Sequence, residues 1–192
     1  MFKKCIFTYL ILLAVFTTGC LSSAVAEEVN LYTARKEHLI RPLIDIFEND
    51  TGIKVNILTA KTKVLIKKIL DEGENSPADL LITVDAGNLH DAKLKNISQK
   101  IDSKLLNQLV PQNLRDTDGH WYGLSVRSRV IMYNPTAINP EKIMNYENLA
   151  DDDLAGRVCI RSSSNIYNQS LLASLIFHNG DQAALDLSLI HI

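Results

Sequence analysis

The amino-acid sequence predicts an α/β fold that is built on a parallel β-sheet. Strand-like and helix-like patterns alternate between residues 28 and 84, which is typical of βαβ units. The stretch LLITV at residues 80–84 is almost continuously apolar, as in a strand that is buried on both faces of a parallel sheet. The 192 residues are 46% hydrophobic and 22% charged, so the chain is globular and long enough for one good core and part of a second.

Periodicity defines the first strands and helices. Residues 28–33 alternate as a strand, with Val29 and Leu31 on one face, and residues 53–58 alternate in the same way. Apolar side chains recur at helical spacing in two segments. One segment lies between these two strands, and the other lies between the second strand and residues 80–84. The predicted helices begin near His38 and Lys63, and they end at Gly52 and Gly73, the second of which is the expected C-terminal cap.

The second half of the chain has shorter predicted elements. Helices are expected over residues 86–94 and 102–109, and Asp118-Gly119 is a turn sequence. Residues 126–133 are rich in β-branched side chains, so they are expected to form a strand, as are residues 157–161. A helical pattern follows the second of these strands. In a parallel sheet the ligand site is expected where the strands end and the helices begin.

The first 26 residues are expected to be a signal peptide. Lys3 and Lys4 precede a short apolar segment, and Ala24-Val25-Ala26 matches an A-x-A cleavage site. The mature chain is therefore expected to begin at Glu27 in the periplasm. Acylation of Cys20 in a lipoprotein leader is the alternative, and either leader predicts export.

Cys159 and the C-terminal residues raise different questions. Cys159 is the single cysteine after the leader, so it is either buried and inert or lacks its partner. The final stretch LSLIHI, residues 187–192, is what the transposon end of a sequencing adapter would encode. We therefore expect residues 187–192 to be a non-native tail on a truncated frame, with a natural short tail as the alternative.

Composition and motifs favour a binding protein. The net charge of −2 and the lack of a basic stripe make nucleic acid an unexpected partner. Ser162 and Ser163 follow a predicted strand but lack the glycines of a nucleophile elbow, so they are predicted to cap a helix. A secreted hydrolase that uses one of these serines is the competing hypothesis from another class.

Three arginines are candidates for binding an anion. Arg127 and Arg129 lie on the same face of the predicted strand 126–133, and a guanidinium can hold a small oxyanion through two parallel hydrogen bonds. Arg35 lies in the first loop between a strand and a helix, at the expected ligand edge. The alternative is that all three are solvated surface side chains.

Tyr167 stands where a polar loop enters a helical pattern, in the sequence SSSNIYNQ. A tyrosine at a helix start is commonly a packing or surface group. The more specific interpretation is a metal ligand, because a highly charged cation displaces the phenolic proton and the helix N-terminus favours negative charge. Ferric iron suits such an oxygen donor.

Several separated stretches resemble one protein family. VNLYTARKEHLIRPLIDIFENDTGIKVNIL, SPADLLITVDAGNL, HWYGLSVRSRVIMYN and GRVCIRSSSNIYNQSLLASLI are similar to the periplasmic ferric-iron-binding proteins of iron ABC transporters, over residues 28–185. The resemblance implies a type II periplasmic-binding-protein fold, in which two α/β lobes close across a hinge of crossing strands. The implied division is a first lobe at residues 27–124, a hinge strand at 125–133 and an incomplete second lobe at 134–186.

The resemblance also implies the roles of individual residues. Tyr167 matches the family's first metal-binding tyrosine, and Arg127 matches the arginine that holds a carbonate-type synergistic anion, with Arg35 as its assistant. Some members place a His-Tyr pair directly after the first-loop arginine; Lys36-Glu37 stand there, so the first loop offers only His38 as a candidate ligand. The family's adjacent tyrosine pair lies beyond residue 192, so the residues present are not expected to bind iron tightly alone.

The predicted function is capture of Fe(III) and its delivery to an ABC-transporter permease in the inner membrane, by a monomer that is not an enzyme. The alternative within the same fold is another small ligand, namely an anion, a polyamine or thiamine. Abundant acidic side chains would favour a polyamine and stacked aromatics would favour thiamine, and the predicted ligand loops show neither feature strongly.

Overall fold

The computed structural model describes residues 27–189. Three strands and six α-helices follow one another along the chain, joined by short 3₁₀ turns. The strands are β1 (Glu28–Thr33), β2 (Lys54–Thr59) and β3 (Leu80–Ile82). The helices are α1 (Glu37–Thr51), α2 (Thr62–Glu72), α3 (Ala86–Leu94), α4 (Lys104–Leu109), α5 (Ile166–Asn179) and α6 (Asp181–Leu189).

The strands form one parallel sheet in the order β2-β1-β3. Leu31 in the central strand is paired with Ile57 of β2 and with Leu80 of β3. All three strands therefore end at the same edge, where the chain turns into α1, α2 and α3. The parallel α/β sheet that the sequence predicts is confirmed.

The two faces of β1 are covered by different helices, because successive side chains on a strand point to opposite faces. Leu31 is fully buried in a cluster with Ile40 and Ile44 of α1 and Val55 of β2. The neighbouring Tyr32 is also buried, and its hydroxyl donates to Glu72 of α2 at 3.3 Å. The sheet is thus held between α1 and α2, which fixes the loops at its carboxyl edge.

Two strand predictions are wrong for the described residues. Residues 126–133 and 157–161 form no ladder, and Val126 and Val130 are about 70% exposed. A strand requires a neighbour for its backbone hydrogen bonds, and no strand lies beside these segments within residues 27–189. The division into a lobe, a hinge strand and a second lobe stays a prediction.

The turn at Asp118-Gly119 is confirmed. Arg115 and Tyr122 form an isolated antiparallel bridge across it, and Gly119 has φ of +83°. A side chain at Gly119 would place its Cβ 2.7 Å from the carbonyl oxygen of Ile101, so the position requires glycine for both its conformation and its space.

Both predicted terminal segments involve residues outside the description. The predictions on the leader, residues 1–26, and on Cys20 lie wholly outside it. Of the predicted tail 187–192, residues 187–189 belong to α6 and the remainder is outside the described part. No helix within residues 27–189 is both long and apolar enough to cross a membrane.

Candidate functional site

A capped helix start presents Tyr167. The side chain of Asn165 accepts a hydrogen bond from the backbone N–H of Tyr167 at 3.1 Å, which satisfies a free donor of the first turn of α5. Ser162 is bonded to Ser164 through their hydroxyls at 3.0 Å, and the Ser163 carbonyl accepts from the Gln169 amide. These serines therefore build the loop that leads into the helix, and the prediction that Ser162 and Ser163 cap it is wrong, because Asn165 is the cap.

Three guanidinium groups surround the ring of Tyr167. The guanidinium carbon of Arg129 lies 4.7 Å from the ring centroid, that of Arg161 lies 5.4 Å away and that of Arg127 lies 5.7 Å away. All three distances are within the range of a cation–π contact. We call these four residues the Tyr167 cluster.

The charge of the Tyr167 cluster is not neutralised by carboxylates. Within residues 27–189, none of its three guanidinium groups forms an ion pair or donates a hydrogen bond, and all three arginines are exposed. Each guanidinium carries five N–H donors in a planar fork that matches an oxyanion. The cluster is therefore chemically suited to a small anion held beside the phenol.

The first loop contributes less than the sequence predicts. The backbone N–H of Arg35 donates to the hydroxyl of Thr33 at 3.1 Å, but its guanidinium makes no hydrogen bond or ion pair with the Tyr167 cluster among the described residues. His38 is exposed in the first turn of α1 and likewise makes no such contact there. The structure thus brings Arg127, Arg129 and Tyr167 together, whereas Arg35 and His38 have no hydrogen bond or ion pair that joins them to this group among the described residues.

Arg161 is the site residue that the sequence reasoning missed. It was expected only as the end of a strand, yet its guanidinium lies over Tyr167, and its carbonyl accepts from the Asn168 amide at 3.1 Å. The available indication was its position six residues before the tyrosine, at the start of the serine loop.

Helix α5 is attached to the ligand edge of the sheet through Asp85, which follows β3. The hydroxyl of Ser170 donates to Asp85 Oδ1 at 2.5 Å. The same oxygen accepts from the backbone N–H of Gly87 at 2.9 Å, so Asp85 caps α3 while it holds α5. The mouth of α5 therefore lies beside the loop between β3 and α3.

A second polar group of side chains is fully paired. Lys93 contacts Asp116 at 2.9 Å and Asp118 at 2.6 Å, and the backbone N–H groups of Asp118 and His120 also donate to Asp116. Burial by itself raises the pKa of Asp116, but these hydrogen bonds outweigh it, so the pKa lies below its usual value.

Two further features lie outside the Tyr167 cluster. In the described part of the chain, no three His, Cys, Asp or Glu side chains are grouped so that they could hold a metal ion. A shallow groove of about 590 Å³ follows α2, and its lining residues belong to that helix alone. Phenol and guanidinium groups therefore define the candidate site.

A family model described as bacterial extracellular solute-binding protein matches residues 75–189. The chain is 46% identical over 159 residues to iron uptake protein A1 of Synechocystis, an alignment that covers 83% of this chain and 44% of that protein.

Two solved structures share the fold. One is a Trichodesmium protein in complex with iron and citrate, at a TM-score of 0.80 and 45% identity, with 85% of this chain and 52% of that one covered. The other is a ferric-binding protein from Campylobacter jejuni, at a TM-score of 0.79 and 40% identity, with the same coverage of both chains. The chain thus spans about half the length of the proteins that it matches. The predicted type II binding-protein fold is confirmed over that part.

Proposed function

Because this chain belongs to the family of bacterial extracellular solute-binding proteins, we propose that it captures Fe(III) outside the cytoplasm for uptake by an ABC transporter. The observation that carries the proposal is the Tyr167 cluster, in which a half-exposed phenol stands at a capped helix start among three cations. The names of the similar proteins, which describe iron uptake and ferric binding, support it.

Tyr167 would supply a phenolate oxygen to the ferric ion. The ion carries enough positive charge to displace the phenolic proton, and the amide groups at the start of α5 favour the resulting negative oxygen. One phenolate and one anion do not fill the coordination sphere of a ferric ion. The proposal therefore includes further donors outside residues 27–189. Within residues 27–189, His38 is the candidate for an additional ligand.

Arg127 would hold a synergistic anion of the carbonate type, and Arg129 and Arg161 would extend the same positive site. An anion between the guanidinium groups and the metal lowers the repulsion between them. The similar Trichodesmium protein binds citrate together with iron, which supports a carboxylate-type anion here. Arg35 remains the candidate from the first loop to assist Arg127.

The delivery step belongs to the same proposal. The chain would act in the periplasm as a monomer, and the permease of an ABC transporter in the inner membrane would receive the iron. A protein anchored through Cys20 would perform the same task from the membrane surface. Membrane fractionation of cells that express wild type or Cys20→Ala distinguishes the two locations.

The test is Tyr167→Phe in the full-length protein, with Tyr133→Phe as a matched control at an exposed tyrosine that lies outside the cluster. Loading with Fe(III) and bicarbonate should give a visible phenolate-to-iron absorption band in wild type and in the control. Tyr167→Phe should lose or strongly weaken both the band and the ferric affinity. An unchanged band and affinity would remove Tyr167 from the ligand set, whereas a wild-type protein without ferric affinity would favour an anion-binding protein.

A further inference from the structure

We propose that Asp85 is a positioning residue for Tyr167, which acts through Ser170 on the helix that carries the tyrosine. The inference rests on the proposed function, since it concerns how the phenol is aimed. Within residues 27–189, the carboxylate of Asp85 forms no hydrogen bond or ion pair with the tyrosine or the arginines of the cluster. Its effect would pass through α5 as a rigid element.

Asp85 has an unusual backbone conformation for its role. Its φ is +71°, and the only other described non-glycine residue with a positive φ is Asn96. Such a conformation is unfavourable for a side chain larger than glycine and persists where the surrounding contacts impose it. Here it points the carboxylate so that one oxygen serves both Gly87 and Ser170.

The bond to Ser170 constrains the rotation of α5. Ser170 lies three residues after Tyr167, so both side chains lie on neighbouring parts of the same helix surface. The bond joins positions that are 85 residues apart in the chain. It therefore ties the direction of the phenol to the carboxyl edge of the sheet.

A steric contact acts at the same place. A Cβ built on Gly87 would lie 3.0 Å from Cδ1 of Ile166, the residue directly before Tyr167. The first turn of α3 thus approaches α5 closely beside the first residue of α5, and the cap of α3, Asp85, is bonded to α5 one turn later. Two contacts along one helix fix both its distance from the sheet edge and its rotation.

The experiment compares Ser170→Ala with Ser170→Thr in the full-length protein. The first removes the hydroxyl and the second keeps it. Ser174→Ala is the control, because Ser174 lies one turn further along α5 and is exposed. Ferric affinity is measured by competition with a chelator of known affinity, together with the visible band and the melting temperature of the iron-free protein.

We expect Ser170→Ala to weaken ferric binding by about tenfold, the effect of losing one hydrogen bond to a charged group, and to shift the visible band. Ser170→Thr and Ser174→Ala should match wild type. Gly87→Ala, whose added Cβ would crowd Cδ1 of Ile166 at 3.0 Å and Oδ1 of Asp85 at 3.2 Å, should also weaken binding.

Two results would overturn the inference in distinguishable ways. If Ser170→Ala and Gly87→Ala keep the wild-type affinity and band while Tyr167→Phe loses them, the contact is structural at most and the proposed function stands. A lower melting temperature with unchanged iron binding leads to the same conclusion. If Tyr167→Phe also binds iron normally, Tyr167 is not a ligand and the inference has no target; if wild type does not bind Fe(III), the proposed function itself fails.

Discussion

Charged side chains in this molecule fall into two groups that differ in how their charge is compensated. Lys93 contacts two aspartates, and Asp116 accepts hydrogen bonds from three donors. The arginines of the Tyr167 cluster have no carboxylate partner among the described residues. Compensated charges stabilise a fold, whereas cations gathered without counter-ions require a ligand or solvent. This contrast separates a structural polar group from a functional one.

Asp116→Ala should lower the free energy of unfolding by about 2 kcal/mol, because it leaves several donors without their acceptor. Asp91→Ala is the control, since Asp91 pairs with Lys95 on an exposed face of α3 and should change stability by less than about 0.5 kcal/mol. Urea denaturation of both variants tests the difference. Equal stabilities would show that the Asp116 contacts contribute nothing beyond a surface ion pair.

The same carboxylate predicts a pH dependence. The pKa of Asp116 is lower in the folded protein than in the unfolded chain, so it stabilises the fold at pH values above its unfolded pKa. That contribution is lost as the pH falls below about 4 toward the folded pKa. The stability difference between wild type and Asp116→Ala should therefore shrink in acid. A difference that stays constant from pH 7 to pH 3 would contradict the assignment.

The start of α5 is the element on which the site depends most. Asn165→Ala removes the cap that the Tyr167 amide uses and should cost about 1 kcal/mol of stability. Asn165→Asp keeps the acceptor and should retain most of it. Because Tyr167 lies in the first turn, fraying there should also weaken iron binding. Thermal unfolding and chelator competition on both variants measure the two effects, and an Asn165→Ala protein with wild-type values for both would refute this view of the helix start.

Prediction from sequence succeeded where the determining interactions are local. The helical spacing from His38 onward and the alternation at residues 28–33 correspond to α1 and β1, because periodicity decides which face is buried. Residues 126–133 have the composition of a strand, but a strand also requires a neighbour that local sequence does not specify. Arg161 was missed for the same reason, since its proximity to Tyr167 depends on how the loop folds. Arg127 and Tyr167 were singled out by their positions on a predicted strand and at a predicted helix start, and the family resemblance implied their roles.

The Tyr167 cluster is assembled from two distant parts of the chain. Arg127 and Arg129 follow the turn at Gly119. Arg161 and Tyr167 lie in the segment that leads into α5, and α5 is attached to the sheet edge through Asp85. The net charge of the whole chain is −2, so the local positive charge at the cluster opposes the overall field. A ligand that binds both parts would stabilise their mutual arrangement.

Under the proposed function, the anion and the ferric ion should therefore bind with positive coupling, because each neutralises charge that repels the other. Linkage requires that the anion raises iron affinity by the factor by which iron raises anion affinity. Titration of the full-length protein with Fe(III) at a series of bicarbonate concentrations measures this factor. Arg161→Ala should reduce it by about tenfold, equivalent to about 1.4 kcal/mol. Arg157→Ala is the control, since the Arg157 guanidinium donates to the carbonyls of Asp153 and Ala137 and is not part of the cluster.

Equal coupling in wild type and Arg161→Ala would place the anion away from Arg161. If Arg161→Ala and Arg157→Ala lose the coupling equally, the loss is a general effect of removing a positive charge.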